Sequence, residues 1–224
     1  MKNYKAVIFD FDMTIADSEK TIVFCLQRTM EHFGYPVREY EDSRTIIGNT
    51  AAAMLAYMSG ETDKEKISEM RAWYRQLSIT QSRKIKFFPG VGEGLRLLRE
   101  KGIKTGILSL KSSQVIRPLL ERDGILPYLD KITGGDQVSS PKPDPEGLLS
   151  MIDAFGLSKD ETLYVGDSLV DQVTAQNGGV NFGAMLLGAT TLEQFSKAPL
   201  AEAFNSFDDL LKTVLFFVDR SKPI

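Results

Sequence analysis

The sequence predicts an α/β protein: a parallel sheet with helices on both faces and an α-helical block inserted after the first strand. Three observations carry that prediction. Ala6-Val7-Ile8-Phe9 is a continuous apolar run, the pattern of a strand buried on both faces, and it ends abruptly in two carboxylates, Asp10 and Asp12. Residues 16–86 show helical periodicity and no convincing strand. Beyond the breaker Phe88-Pro89-Gly90, helices and short apolar strands alternate, as βαβ units require.

Within the insertion, Ser18 can cap a helix in which Ile22, Leu26, Met30 and Phe33 recur at helical spacing, with Gly34 as its stop. Thr50 to Met58 reads as a second helix, ended by Ser59-Gly60. From Lys64 to Ile79, Ile67, Met70, Tyr74 and Leu77 form one apolar stripe and charge covers the rest.

After the breaker, Val91, Leu95 and Leu98 mark a helix closed by Gly102, and Ile103 to Ser109 is a strand. Ser112 or Ser113 caps the next helix, closed by Gly124. Pro118 lies inside it and costs about 3 kcal/mol in a helix interior, which predicts a kink or a late start. Lys131-Ile132-Thr133 reads as a short strand. Asp144-Pro145-Glu146 is a helix start with an N-cap, a proline at the first position and an acid in the first turn. Leu148, Leu149, Ile152 and Phe155 form the buried face of that helix, and Gly156 ends it. Thr162 to Gly166 is a strand, Leu169 to Gln176 a helix and Val180 to Leu186 a strand. A last helix runs from about Phe207 to Phe217, with Phe216-Phe217 docking it on the sheet.

Composition bounds the function. A chain of 224 residues, 42% hydrophobic and 25% charged, can bury a substantial core, and a net charge of -3 gives no support for nucleic-acid or membrane-surface binding. The single cysteine, Cys25, cannot form an internal disulfide. The amino-terminal residues lack a signal-peptide pattern, and no apolar stretch approaches the roughly 20 residues of a membrane span. A cytoplasmic location is the expectation.

The chemistry sits at the strand ends. In open α/β sheets ligands bind at the carboxyl edge, and residues two apart on an extended chain point the same way, which directs Asp10 and Asp12 toward one site. Two carboxylates that close repel unless a cation or a shared proton intervenes, and oxygen ligands favour Mg²⁺. On the tripeptide alone, an exposed turn with capping aspartates is an equal reading. The other strand ends decide: Ser109 follows Ile107-Leu108, Asp167 follows Tyr164-Val165-Gly166 with Asp171 four residues on, and the rigid loop Ser139 to Asp144 presents Lys142. Acids, a hydroxyl and an ammonium converge on one sheet edge.

In this order, these residues resemble the haloacid dehalogenase superfamily of phosphohydrolases. Asp10-Phe11-Asp12-Met13-Thr14 resembles its DxDx(T/V) motif, Ser109 its strand-end hydroxyl, Lys142 its lysine, and Gly166 to Asp171 its GDxxxD motif. Within the superfamily the chain is most similar to phosphoglycolate phosphatases. The resemblance implies a Rossmann-like catalytic core over residues 1–15 and 87–224 and an α-helical cap over 16–86, with cap hinges near Ala16 and near Lys86-Phe87. It also implies Mg²⁺ as cofactor, held by Asp10, Asp12 (through its backbone carbonyl), Asp167 and Asp171, the last binding through water or orienting Lys142. Asp10 would be the nucleophile, Asp12 the general acid and base, and Ser109 and Lys142 the partners of the phosphate.

The implied reaction is hydrolysis of a small phosphate monoester through an aspartyl phosphate. The second acid, Asp12, argues for it, because loss of halide needs no proton. A phosphoglucomutase-type mutase, a pyrophosphatase and a non-catalytic phospho-ligand binder are the alternatives. Thr14, Arg44, Gly48, Asn49, Leu110 and Lys111 complete the expected substrate-binding set. Arg44 reads equally as a solvated arginine beside a helix turn, and Lys111 as a solvated helix-start lysine. The expected partner is a small phosphorylated metabolite, and the expected state a monomer or weak homodimer. Two departures stand out: Met13 where relatives usually have glycine, and Leu110 where they usually have asparagine.

Overall fold

The computed structural model describes residues 2–216. Its strands are β1 (Ala6–Phe9), β2 (Ala16–Asp17), β3 (Lys86–Phe87), β4 (Lys104–Leu108), β5 (Lys131–Thr133), β6 (Thr162–Gly166), β7 (Asn181–Met185) and β8 (Glu202–Phe204). The helices are α1 (Glu19–Phe33), α2 (Tyr40–Arg44), α3 (Ala51–Ser59), α4 (Lys64–Gln81), α5 (Val91–Glu100), α6 (Ser113–Arg122), α7 (Glu146–Phe155), α8 (Leu169–Gly178), α9 (Leu192–Phe195) and α10 (Phe207–Leu215).

Six strands form one parallel sheet in the order β5-β4-β1-β6-β7-β8. β1 is central, with Ile8 opposite Gly106 on one side and Tyr164 on the other, so its four side chains are all buried. Successive residues feed opposite layers. Val7 and Phe9 pack with Val91, Leu95 and Leu98 of α5, Ile116 and Leu120 of α6, and Phe207 and Leu210 of α10. Ile8 packs with Leu148, Met151 and Ile152 of α7 and Ala175 of α8. The predicted α/β fold, a parallel sheet with helices on both faces, is present.

The insert has its own core: Ile22, Leu26 and Met30 of α1 meet Met54, Leu55 and Met58 of α3 and Met70 and Tyr74 of α4. Cys25 is buried there, and His32 stacks on Trp73 with ring centroids 4.5 Å apart.

Some expectations are corrected. Residues 16–86 are not free of strand: Ala16–Asp17 pairs antiparallel with Lys86–Phe87, a ribbon too short to carry a periodic signal. α2, α9 and β8 were not anticipated. Ser18 occupies the N-cap position of α1, yet its buried Oγ makes no hydrogen bond. α6 starts at Ser113 and runs through Pro118 without a late start. The bond that Pro118 cannot donate is offset by burial of Val115, Ile116, Leu119 and Leu120. α10 ends at Leu215 and Phe216 is 40% exposed rather than docked on the sheet, while Phe217 lies outside the described residues. Among the described residues no helix is long and apolar enough to cross a membrane.

Candidate active site

The site is built where β1 ends. The Asp10 amide still donates to the Val165 carbonyl (2.8 Å), so the backbone of Asp10 extends the sheet before the chain turns. The turn closes with Met13 N–H to Ala16 O (2.8 Å) and Ala16 N–H to Phe11 O (3.0 Å), and it forces Met13 to φ 56°. A side chain in that left-handed conformation costs roughly 1–2 kcal/mol. Methionine bears it here with its side chain buried.

Lys142 is 6% exposed and is held from three sides. Its Nζ lies 2.9 Å from Asp10 Oδ1 and 2.6 Å from Asp171 Oδ1, and it donates to the Tyr164 hydroxyl at 3.1 Å. Tyr164 in turn donates to Asp171 Oδ1 (2.7 Å). The other Asp171 oxygen accepts from the Ser168 amide (3.1 Å) and hydroxyl (2.5 Å), the capping box that starts α8. Gly166 is required at the end of β6, because a Cβ there would fall 2.3 Å from Asp171 Cγ. The spacing from Gly166 to Asp171 is thus the spacing that lets a helix start press its carboxylate against the strand end.

Asp167 accepts one bond from the Thr14 hydroxyl, at 3.2 Å. Asp10, Asp167 and Asp171 can each offer an oxygen to a common point, with those oxygens all within 4.8 Å of one another. Burial raises the Asp10 carboxyl to about 6, against the pull of Lys142, and the charges of Asp171 and Asp12 add to the rise. Asp167 is held well above the usual carboxylate range by burial, then by Asp171 and Asp10. Burial opposes the charge on Lys142, yet Asp10 and Asp171 keep its pKa well above the ordinary value. Such a crowd of desolvated acids fits a hard cation, and Asp10 and Asp167 each keep one oxygen outside the hydrogen bonds above. Both oxygens of Asp171 are already engaged, so its geometry fits orienting Lys142 better than binding metal.

A cleft of about 380 Å³ opens between the sheet edge and the insert, and Asp10, Asp12, Ser109, Leu110, Lys111, Lys142, Gly48 and Asn49 line it. Ser109 Oγ accepts from the Lys111 amide at 3.3 Å. Lys111 Nζ lies 3.1 Å from Asp12 Oδ1, an ion pair without hydrogen-bond geometry that leaves this buried oxygen unbonded. Gly48, at φ 101°, touches the core closely enough that a Cβ would sit 2.7 Å from Ser168 Cβ.

Two expected substrate contacts are not in the cleft. Thr14 is fully buried and its hydroxyl is engaged by Asp167, so it positions that carboxylate. Arg44 is drawn away by Glu19 (3.1 Å) and Glu41 (3.4 Å), the local acids that the sequence offers it. Residues that the sequence reading passed over do line the cleft: Ser68, Arg71, Arg75 and Ser78 on α4, and Ile22 and Met54 beside them. The signal was available, since the α4 residues recur at helical spacing, each one position after a residue of the Met70–Tyr74 stripe and so on the adjoining face of the helix. Tyr164 was hidden inside an apolar strand.

The family model of haloacid dehalogenase-like hydrolases matches residues 7–185. A phosphoglycolate phosphatase of Nitrosococcus oceani is 30% identical over 182 residues, 79% of this chain and 81% of that protein. One of Vibrio cholerae is 27% identical over 223 residues, covering 96% and 99%. Among solved structures, a Bacteroides fragilis protein described as a haloacid dehalogenase-like hydrolase is 33% identical, with a TM-score of 0.90 over 93% of this chain and 100% of that one. A Geobacter sulfurreducens hydrolase of the same superfamily is 26% identical, with a TM-score of 0.71 over 94% and 99%. With its sheet, its strand-end acids and its lysine at these positions, the chain belongs to the haloacid dehalogenase-like hydrolases.

Proposed function

We propose that this protein is a Mg²⁺-dependent phosphatase, phosphoglycolate phosphatase-like, that hydrolyses a small phosphate monoester through an aspartyl phosphate on Asp10. The observation that carries this reading is the pair Asp10 and Asp12 at the cleft floor, the first held by Lys142 and the second beside Lys111. On this reading residues 1–15 and 87–224 are the catalytic core and 16–86 the cap, and the enzyme acts on a phosphorylated metabolite in the cytoplasm.

Asp10 attacks phosphorus, and Lys142 offsets charge on the nucleophile and the phosphoryl group. Asp12 gives its proton to the leaving oxygen and then takes one from the attacking water. Ser109 and the backbone amide of Leu110 hold phosphoryl oxygens. Because that contact needs an amide and not a side chain, leucine serves where relatives usually have asparagine. Asp10, Asp167 and the backbone carbonyl of Asp12 would hold Mg²⁺, which supplies positive charge against the phosphoryl oxygens. The test is Mg²⁺-dependent phosphate release from an aryl phosphate and a panel of small phosphate monoesters. Release that needs Mg²⁺ supports the reading, and no release from any ester sinks it. A phosphorylated product in place of free phosphate identifies a mutase.

The acid crowding makes a stability prediction. A carboxyl whose folded pKa is raised contributes stability below its ordinary value and loses it as pH climbs through the raised one, for Asp10 between 3.8 and about 6. The metal-free protein is therefore expected to melt lower at pH 7.5 than this site would allow at pH 5, and Mg²⁺ to raise Tm more at pH 7.5. Asp167→Asn is expected to melt at or above wild type without Mg²⁺ and to gain nothing from it, at about 2–4 °C per kcal/mol. Calorimetric melting with and without Mg²⁺ checks this, and an unchanged Mg²⁺ response in the variant counts against Asp167 as a ligand.

Closure of the insert makes another. Gly48→Val combines strained φ with overlap on Ser168, so the loop must lift away from the core. The expected result is a fall in kcat/KM of about tenfold or more with Tm within a few degrees of wild type, measured on the best ester of the panel.

A further inference from the structure

The loop that would hold the phosphoryl group, residues 109–113, is fastened from one side by the segment that leaves β5. The β4–β5 ladder runs on past both strands: the Ser109 amide donates to the Thr133 carbonyl (3.1 Å), and the Gly135 amide to the Lys111 carbonyl (3.2 Å). Asp136 then closes the register on the first residue of α6, accepting from the Ser113 amide (2.7 Å) and hydroxyl (2.9 Å) with separate oxygens. Both glycines are needed at this distance. A Cβ on Gly134 would fall 2.3 Å from the Ser113 nitrogen, and one on Gly135 would fall 2.5 Å from the Leu110 carbonyl oxygen. Gln137 holds the turn itself, its Oε1 accepting from the Gly134 amide at 3.0 Å. Among the described residues the Leu110 amide donates to no protein acceptor, and Leu110, Gly135 and Asp136 all line the cleft.

Resting on the phosphatase reading, we propose that Asp136 is a positioning residue of the reaction: with Gly134 and Gly135 it forms a strap that holds residues 109–113 so that the Leu110 amide stays aimed at a phosphoryl oxygen. Asp136 acts through the backbone and touches no reacting atom. Its own charge has the wrong sign for an anionic substrate. Partial burial raises its carboxyl, yet the bonds from Ser113 more than offset this and hold it below the usual carboxylate range, so it is ionised at neutral pH. A carboxylate on the cleft wall repels an anion, so what recommends it there is what its two oxygens hold. The accuracy matters, because displacing a preorganised donor by about 1 Å can cost about 10²-fold in rate.

The test separates strap from charge by sign. Asp136→Asn keeps both contacts, since its amide oxygen accepts from the Ser113 N–H and its amide nitrogen donates to the Ser113 hydroxyl, and it removes the repulsive charge. Asp136→Ala removes the charge and the contacts together. Calorimetric titration of the Mg²⁺-loaded protein with orthophosphate is expected to give Asp136→Asn an affinity equal to or above that of wild type, and Asp136→Ala one about fivefold or more weaker. A charge effect alone would tighten both. Gly135→Ala presses on the Leu110 carbonyl while leaving Asp136 in place, and it is expected to weaken orthophosphate as Asp136→Ala does. Turnover of an aryl phosphate is expected to follow, with kcat/KM down about tenfold or more in Asp136→Ala, mostly in kcat, and within about threefold of wild type in Asp136→Asn. Orthophosphate binding by Asp136→Ala within about twofold of wild type or tighter, or a loss in Asp136→Asn as large as in Asp136→Ala, overturns the proposal. Absence of aryl phosphate hydrolysis by the wild type would instead sink the phosphatase reading, while the orthophosphate titrations still decide whether the strap holds an oxyanion-binding loop.

Discussion

Asp10→Asn is expected to lose phosphate release by about 10⁴-fold or more while the protein stays folded, because the change removes the attacking oxygen's charge and almost none of its volume. Lys142 still finds Asp171 at 2.6 Å, so the ammonium does not become an unpaired buried charge. Removing a carboxyl that burial already pushes up to about 6 relieves the acid crowding, and the metal-free variant is expected to melt no lower than wild type at pH 7.5. Phosphate release measures the first effect and thermal melting the second. Hydroxylamine trapping of phosphorylated protein adds a direct readout: wild type yields a trapped product during turnover and Asp10→Asn yields none. Residual turnover within about tenfold of wild type would remove Asp10 from the nucleophile's role.

The second large effect falls on stability. Lys142→Met leaves Asp10 and Asp171 buried side by side, 5% and 0% exposed, with no ammonium between them. Stripping one partner from a buried ion pair costs about 3–5 kcal/mol, which at this chain length corresponds to a fall in Tm of about 10 °C. The sign with pH follows from the same acids. Without Lys142, Asp10 protonates more readily still, so the deficit is expected to be smaller at pH 5 than at pH 7.5. Lys142→Arg is not expected to restore the site. The ammonium's three donors already meet Asp10, Asp171 and Tyr164, and a planar fork does not fit that triangle. Melting curves at the two pH values distinguish this from simple loss of packing, which would be the same at both.

How much of this was legible in the sequence depended on whether a signal was local. The inner strands β1, β4, β6 and β7 announce themselves by apolar runs, the short edge strand β8 does not, and the acids stand out because charge at the end of such a run is costly without a purpose. The roles of Thr14 and Arg44 were not legible, since each is decided by a partner that only the fold brings near or that lies in a neighbouring helix: Asp167 for Thr14, Glu19 for Arg44. The polar face of α4 read as solvated charge because sequence gives its periodicity but not what stands opposite. Tyr164 was invisible for the converse reason: in an apolar strand a tyrosine looks like core until its hydroxyl is seen between Lys142 and Asp171.

The two-strand ribbon that joins insert and core has a consequence for how the chain reaches this fold. β1 must find β4 across the whole insert and α5, a distant partner whose capture is entropically slow. Once Ala16 pairs with Phe87 and Asp17 with Lys86, the insert is pinched off as a side loop and the stretch left to close shortens roughly fourfold, worth about 1 kcal/mol of closure entropy. The insert's separate apolar cluster can form from contacts within itself, and Phe11 packs edge-on against Phe87 where the ribbon meets the sheet. Pairing of the ribbon thus shortens the search by which β1 finds its neighbour β4.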